Sequence, residues 1–138
     1  MRLFILSLSL VIFCLPSFAI EIACEHALGK QSAFIIDGQM EVEENKELTR
    51  TVYSITEDAK VTVLESSEGV SDEQRVIDGL NWARLGNGFI GTGFVEFDGI
   101  SGAGTHYIDE NQEVTAAIMS VNGVVVSGSS SSDCERIK

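Results

Sequence analysis

The chain has 138 residues, with 9 Lys and Arg against 21 Asp and Glu and a formal net charge of −12. That balance argues against nucleic acid or an anionic membrane surface as partner, and it permits a cationic one. The length fits one domain with a real core.

Residues 1–19 read as a cleavable export signal. Arg2 supplies the basic start, and Leu3 to Leu15 is apolar apart from Ser7 and Ser9. Pro16 breaks the run, and Ser17 and Ala19 put small residues at the −3 and −1 positions of a cleavage site. The run is shorter than the roughly 20 apolar residues that span a bilayer. Residues 20–138 are then the mature domain, exported to a periplasm or secreted. Removing Arg2 leaves 8 basic against 21 acidic side chains, a net charge of −13.

Cys14 falls inside the signal, which leaves Cys24 and Cys134. Two cysteines in an oxidising compartment imply a disulfide. It would clip the domain at both ends, across a separation of 110 residues. Loop-closure entropy makes such a bridge worth on the order of 4–5 kcal/mol. Lipid attachment at Cys24, after Ala23, is the alternative. Against it, Glu21 stands where such sites have an aliphatic residue, and Cys134 would lose its partner.

The next segments carry hairpin signals. Asp37-Gly38 suits the positive φ angles of a tight turn, between Ala33–Ile36 and Met40–Glu44. In the second of these, Met40 and Val42 alternate with Glu41 and Glu43, as in a strand with one wet face. Glu47–Ile55 and Lys60–Leu64 pair in the same way around Glu57-Asp58.

The centre is ambiguous. Ser71 to Gln74 resembles a capping box, so a helix over 72–84 is one reading. Gly79 in its interior would cost roughly 1 kcal/mol relative to Ala. A short helical turn near 72–79 followed by a strand over Leu80–Leu85 fits better. Phe89–Phe97 returns after Asn87-Gly88, with Gly91 and Gly93 marking a bulge or bend. Thr105–Ile108, Val114–Val121 and Val124–Ser127 complete a meander turned at Asn122-Gly123, and Asp78-Gly79 and Asp98-Gly99 add further turn pairs. Ser129–Ser132 reads as a polar loop tied down by Cys134. The fold class is all-β, a single-domain small barrel or sandwich of about eight antiparallel strands. Phe34, Trp82, Phe89, Phe94 and Phe97 are the expected core or cavity residues.

Motifs for chemistry are few. Gly86–Gly91 matches G-x-G-x-x-G, but a β-rich stretch follows where a dinucleotide site needs a helix. Asp109, Asn111 and Glu113 start like an EF-hand loop, but Val114 and Ser120 occupy the positions that need Gly and Glu. His26 and His106 are far apart and the cysteines are paired, so no metal or cofactor is expected. Ser101 lies near His106 without a nucleophile elbow. Catalysis by paired carboxylates has many candidates among 21 acids and none singled out.

The Gly-rich segment Asp98–Tyr107 reads as a solvated loop between strands, with Ser101, His106 and Tyr107 as candidate binding residues. Ser101-Gly102 followed by Tyr107 resembles the Ser-Gly-x-x-Tyr-type loop of periplasmic C-type lysozyme inhibitors, small exported β-barrels whose terminal cysteines pair. The resemblance covers a handful of residues, and the Trp that follows the loop in that family is missing here. It does not place the chain in that family. The expected function is a non-enzymatic exported β-domain that binds a ligand or protein partner in the cell envelope. An inhibitor of a cationic cell-wall hydrolase is the alternative, and a secreted carboxylate hydrolase comes third. A ligand binder should show a cavity lined by Trp82 and the Phe residues. An inhibitor should show a solid core and a protruding 98–107 loop, and a hydrolase two converging carboxylates.

Overall fold

The computed structural model describes residues 18–28, 30–97, 100–121 and 123–138. The signal reading of residues 1–17 lies outside the described residues, as do Asp98, Gly99 and Asn122 of the expected turns. Among the described residues are ten strands and one helix: β1 Ile20–His26, β2 Gln31–Ile36, β3 Gln39–Glu44, β4 Thr49–Ile55, β5 Val61–Ser66, α1 Val70–Asp78, β6 Leu80–Leu85, β7 Gly88–Phe97, β8 Ile100–Ile108, β9 Gln112–Val121 and β10 Val124–Arg136. No helix among these residues is long and apolar enough to cross a membrane.

Eight strands run in the order β5-β4-β1-β10-β9-β8-β7-β6, all antiparallel, and the sheet curls into a half-barrel. β10 organises it. One side of β10 pairs with β9 from Val124 to Asp133. The other side is shared: Val126–Ser129 hold β2, and Asp133–Arg136 hold β1. The β2–β3 hairpin therefore extends the sheet beyond the main curl. Asp37 and Gly38 both have positive φ, 49° and 77°, which gives the hairpin the twist its Asp-Gly pair predicts.

Strand alternation sets what faces inward. At one end of the curl the inner face is apolar: Ile22 and Cys24 from β1, Tyr53 and Ile55 from β4, Val61 and Val63 from β5, Phe89 from β7 and Ile108 from β8. Further along the same strands the inner positions turn polar, at Thr51, His106, Thr115, Ser130 and Ser132. The core fills one end of the half-barrel, and a groove opens at the other.

Helix α1 joins the two sheet ends. Ile77 is 1% exposed and drops into the core. Gln74 lies against the edge of β5, where its Oε1 accepts from the Val63 N–H at 2.8 Å and its Nε2 donates to the Val61 carbonyl at 3.5 Å. One side chain thus satisfies two backbone groups on the outer edge of β5. The expected capping box does not form. The N-cap is Gly69, with no side-chain hydrogen bond, and Gln74 is used by β5 instead. Gly79 ends the helix, its N–H shared by the Arg75 and Val76 carbonyls, and β6 starts at Leu80 as expected.

Three expectations need correction, and one strand was not expected at all. Residues 100–108 form a strand paired on both sides, so the expected 98–107 loop is β8 over its described part. Gly102 and Gly104 serve close packing there: a Cβ at Gly102 would clash with the Ile118 carbonyl. The serine tract is also strand, because β9 pairs with it throughout and its inward hydroxyls find partners. Phe94 is 61% exposed on the outer face and not in the core. Finally, β1 had no strand expectation, although Ile20, Ile22 and Cys24 alternate with Glu21, Ala23 and Glu25. Phe89 is buried and Trp82 packs against the core, as expected.

Cys24 and Cys134 face each other on β1 and β10 with Cα atoms 4.0 Å apart, and they form the disulfide within the core. A buried disulfide is compatible with an oxidising, exported environment.

Candidate functional site: a polar groove over a Tyr–Glu–His hub

The groove has a volume of about 540 Å³. Its floor is a hub where apolar core gives way to polar lining. The Tyr53 hydroxyl, from β4, donates to Glu113 Oε1 on β9 at 2.6 Å. His106 Nε2, from β8, meets the same oxygen at 2.5 Å. The register explains the meeting: Glu113 and His106 both lie on the inner face of the adjacent strands β9 and β8, and β4 curls round to face them. Ser132 sits across from Glu113 on β10, and its hydroxyl favours the charged form of that carboxylate. His106 is further fixed by rings on two sides, with Tyr53 edge-on at 5.8 Å and Trp82 tilted at 5.5 Å. Trp82 itself lies across Gly91, where a Cβ would meet its indole at 2.7 Å, and its Nε1 donates to the Ile77 carbonyl at 3.0 Å.

Helix α1 adds a second carboxylate. Glu73 Oε1 lies 3.4 Å from the Tyr53 hydroxyl, on its groove side. The two carboxyls are driven apart in acidity. Burial alone pushes Glu113 up, but the hydrogen bond and charge of His106, the Tyr53 hydrogen bond and the nearby Ser132 hydroxyl bring it below its usual value. Burial lifts Glu73 above its usual value, and the charges of Glu113 and Glu68 add to this against the pull of His106. Tyr53 is held protonated, first by burial and then by the carboxylates beside it. Glu113 is thus an ionised anchor whose Oε1 is shared by Tyr53 and His106. Glu73 is half-buried and keeps free hydrogen-bonding capacity.

Around this hub the groove is lined by hydroxyls (Thr49, Thr51, Thr115, Ser130), by His26 and Phe34, and by the carboxylates Glu43 and Glu68. Thr115 and Ser130 bond each other at 2.6 Å, and His26 Nδ1 bonds the Ser131 carbonyl at 3.1 Å. Phe34 from the β2–β3 hairpin folds over Gly128, where a Cβ would meet its ring at 2.7 Å. Among the described residues no Lys or Arg lines the groove. Lys46 lies in the adjoining hollow under the hairpin.

Cys24, Cys134 and Glu113 bring ligand-type atoms within 4.8 Å of one another. The sulfurs are bonded to each other, so this set offers no free thiolate to a metal.

The three residues expected to bind are not brought together. Ser101 and Tyr107 lie on the outer face of β8, and His106 lies on the inner face, 5% exposed. Tyr107 donates to Asp109 Oδ2 at 2.9 Å, and Asp109 Oδ1 accepts from the Asn111 and Gln112 N–H groups. The Asp109–Glu113 motif is therefore a hairpin turn. The sequence reading missed Tyr53, Glu73 and Glu113 as a group. Its one available signal was a carboxylate, Glu113, two residues before Thr115 on a strand rich in apolar residues. Of the residues expected to form the core or line a cavity, Phe89 and Trp82 belong to the core, Phe34 reaches the groove and Phe94 lies on the outer face, while the side chain of Phe97 lies outside the described residues. Compared with known proteins, the chain matches no family model, no curated protein and no solved structure.

Proposed function

We propose that this is an exported, non-enzymatic binding domain whose groove takes a cationic group, an amine or guanidinium carried by a small molecule or by a basic protein. One observation carries the reading. The groove is lined by Glu43, Glu68, Glu73 and Glu113 and by no Lys or Arg among the described residues. A cation seated at Glu73 removes the repulsion that Glu113 and Glu68 exert on it. Thr115, Ser130 and Thr51 offer hydroxyl oxygens for its N–H groups. The net charge draws such a partner in at long range. An inhibitor of a cationic cell-wall hydrolase is one form of this reading, with a Lys or Arg of the enzyme in the groove.

The probe is spermidine, followed by amide resonances in NMR, with an uncharged diol of similar length as control. Spermidine should shift residues around Glu73, Thr115 and Ser130, and the diol should not. Equal responses to both would contradict a charge-selective groove.

A second reading has its own observation. Glu73 and Glu113 converge on Tyr53 with acidities pushed apart, as the acid and base of a hydrolase are. Glu113 would have to give up the Tyr53 and His106 hydrogen bonds to act, which favours binding. Turnover of chromogenic glycosides that disappears in Glu73→Gln would reverse that preference.

A further inference from the structure

We infer that β3 is a docking edge for an extended peptide segment that alternates basic and apolar residues, added as a further strand of the sheet. Among the described residues β3 pairs only with β2, and all six of its residues are exposed. Alternate N–H and C=O groups along its free edge therefore point away from the protein. Part of the β5 edge is taken by Gln74, and the exposed residues of β6, Asn81, Ala83, Arg84 and Leu85, carry no alternating charge. The β3 edge is the one with a readable code.

The code lies on both faces. Glu41 pairs with Phe34 and Glu43 with Ser32, on the face that continues the groove. Met40 pairs with Ile35 and Val42 with Ala33, on the opposite face. Met40 is 74% exposed and Val42 53%. An added strand would set every second side chain beside Glu41 and Glu43, and the others beside Met40 and Val42. Basic residues suit the first row and apolar residues the second, because cross-strand neighbours of opposite charge, or of shared apolar character, stabilise the pairing. A second copy of this chain is disfavoured. Two β3 edges side by side would oppose like carboxylates, on chains that each carry a formal charge of −12.

The test uses the intact, disulfide-bonded protein and three synthetic peptides as long as β3. One alternates Lys and Val, one alternates Glu and Val, and the third is the Lys/Val peptide with its backbone nitrogens methylated on alternate residues. The Lys/Val peptide should bind in a saturable way and shift the amide resonances of residues 39–44. The Glu/Val and methylated peptides should not. The double variant E41K/E43K should weaken Lys/Val binding by roughly tenfold and shift the preference toward the Glu/Val peptide. Both substitutions lie on exposed positions, so a circular dichroism spectrum like the parent's confirms the fold. Equal binding of Lys/Val and Glu/Val, undiminished binding of the methylated peptide, or shifts confined to residues outside β3 would overturn the inference. So would self-association in sedimentation that Glu41→Lys abolishes, since it would assign the edge to a second copy.

Discussion

At the scale of single residues, two glutamates on one tyrosine carry opposite stability signs. Glu113 is ionised at pH values where an unfolded-chain glutamate has taken up a proton. Its contribution is therefore complete above its ordinary value of about 4.5 and fades as pH falls through its lowered folded value. Glu113→Ala should cost about 2–4 kcal/mol at neutral pH, because Tyr53 and His106 both lose their buried acceptor. Urea denaturation at several pH values checks this, and the difference from wild type should shrink in acid. Glu73 has the reverse sign. It keeps a proton to higher pH folded than unfolded, so its favourable contribution lies in acid and is lost as pH rises through its raised folded value. At neutral pH its charge is a cost that the proposed ligand offsets. Glu73→Gln should raise stability slightly at neutral pH, within about 1 kcal/mol, while weakening cation binding. A clear loss of stability in that variant would mean that Glu73 serves the fold alone.

At the scale of elements, α1 matters less as a helix than as a cover for β5. Gln74→Ala should leave the Val63 N–H and the Val61 carbonyl without protein partners. The expected loss is about 1–2 kcal/mol, with faster amide exchange at Val63 than at its neighbours. Unchanged exchange at Val63 would show that the edge does not depend on this side chain. Element positions were legible where backbone geometry dictates the residue. Asp37-Gly38 announced its hairpin, and Gly79 announced the end of α1. Alternation gave β3 and the start of β6. The signal failed where side chains do two jobs. The serine tract has loop composition, yet its inward hydroxyls bond Thr115 and line the groove, while β9 satisfies its backbone. The glycines of β8 suggested a loop, but they let β9 approach closely. The hub escaped because its members come from β4, α1, β8, β9 and β10. Only the curl of the sheet joins them.

At the scale of the molecule, one disulfide and one sign of charge frame the fold. Cys24–Cys134 ties β1 to β10, the strand that holds both β9 and the hairpin. Cys134→Ala should lower stability by about 2–5 kcal/mol, read as a lower Tm in calorimetry. An unchanged Tm would show that the ladder between β1 and β10 holds without it. The groove sits beyond this staple, at the end where hydroxyls and carboxylates replace the core. Its selectivity for cations is the central claim, and titration calorimetry with spermidine tests it most directly. Wild-type protein should bind at neutral pH, with affinity that falls as salt rises and as pH drops through the raised value of Glu73. Glu73→Lys should lose the binding while keeping its fold. Spermidine heats that are absent in the wild type, or unchanged in Glu73→Lys, would contradict the account.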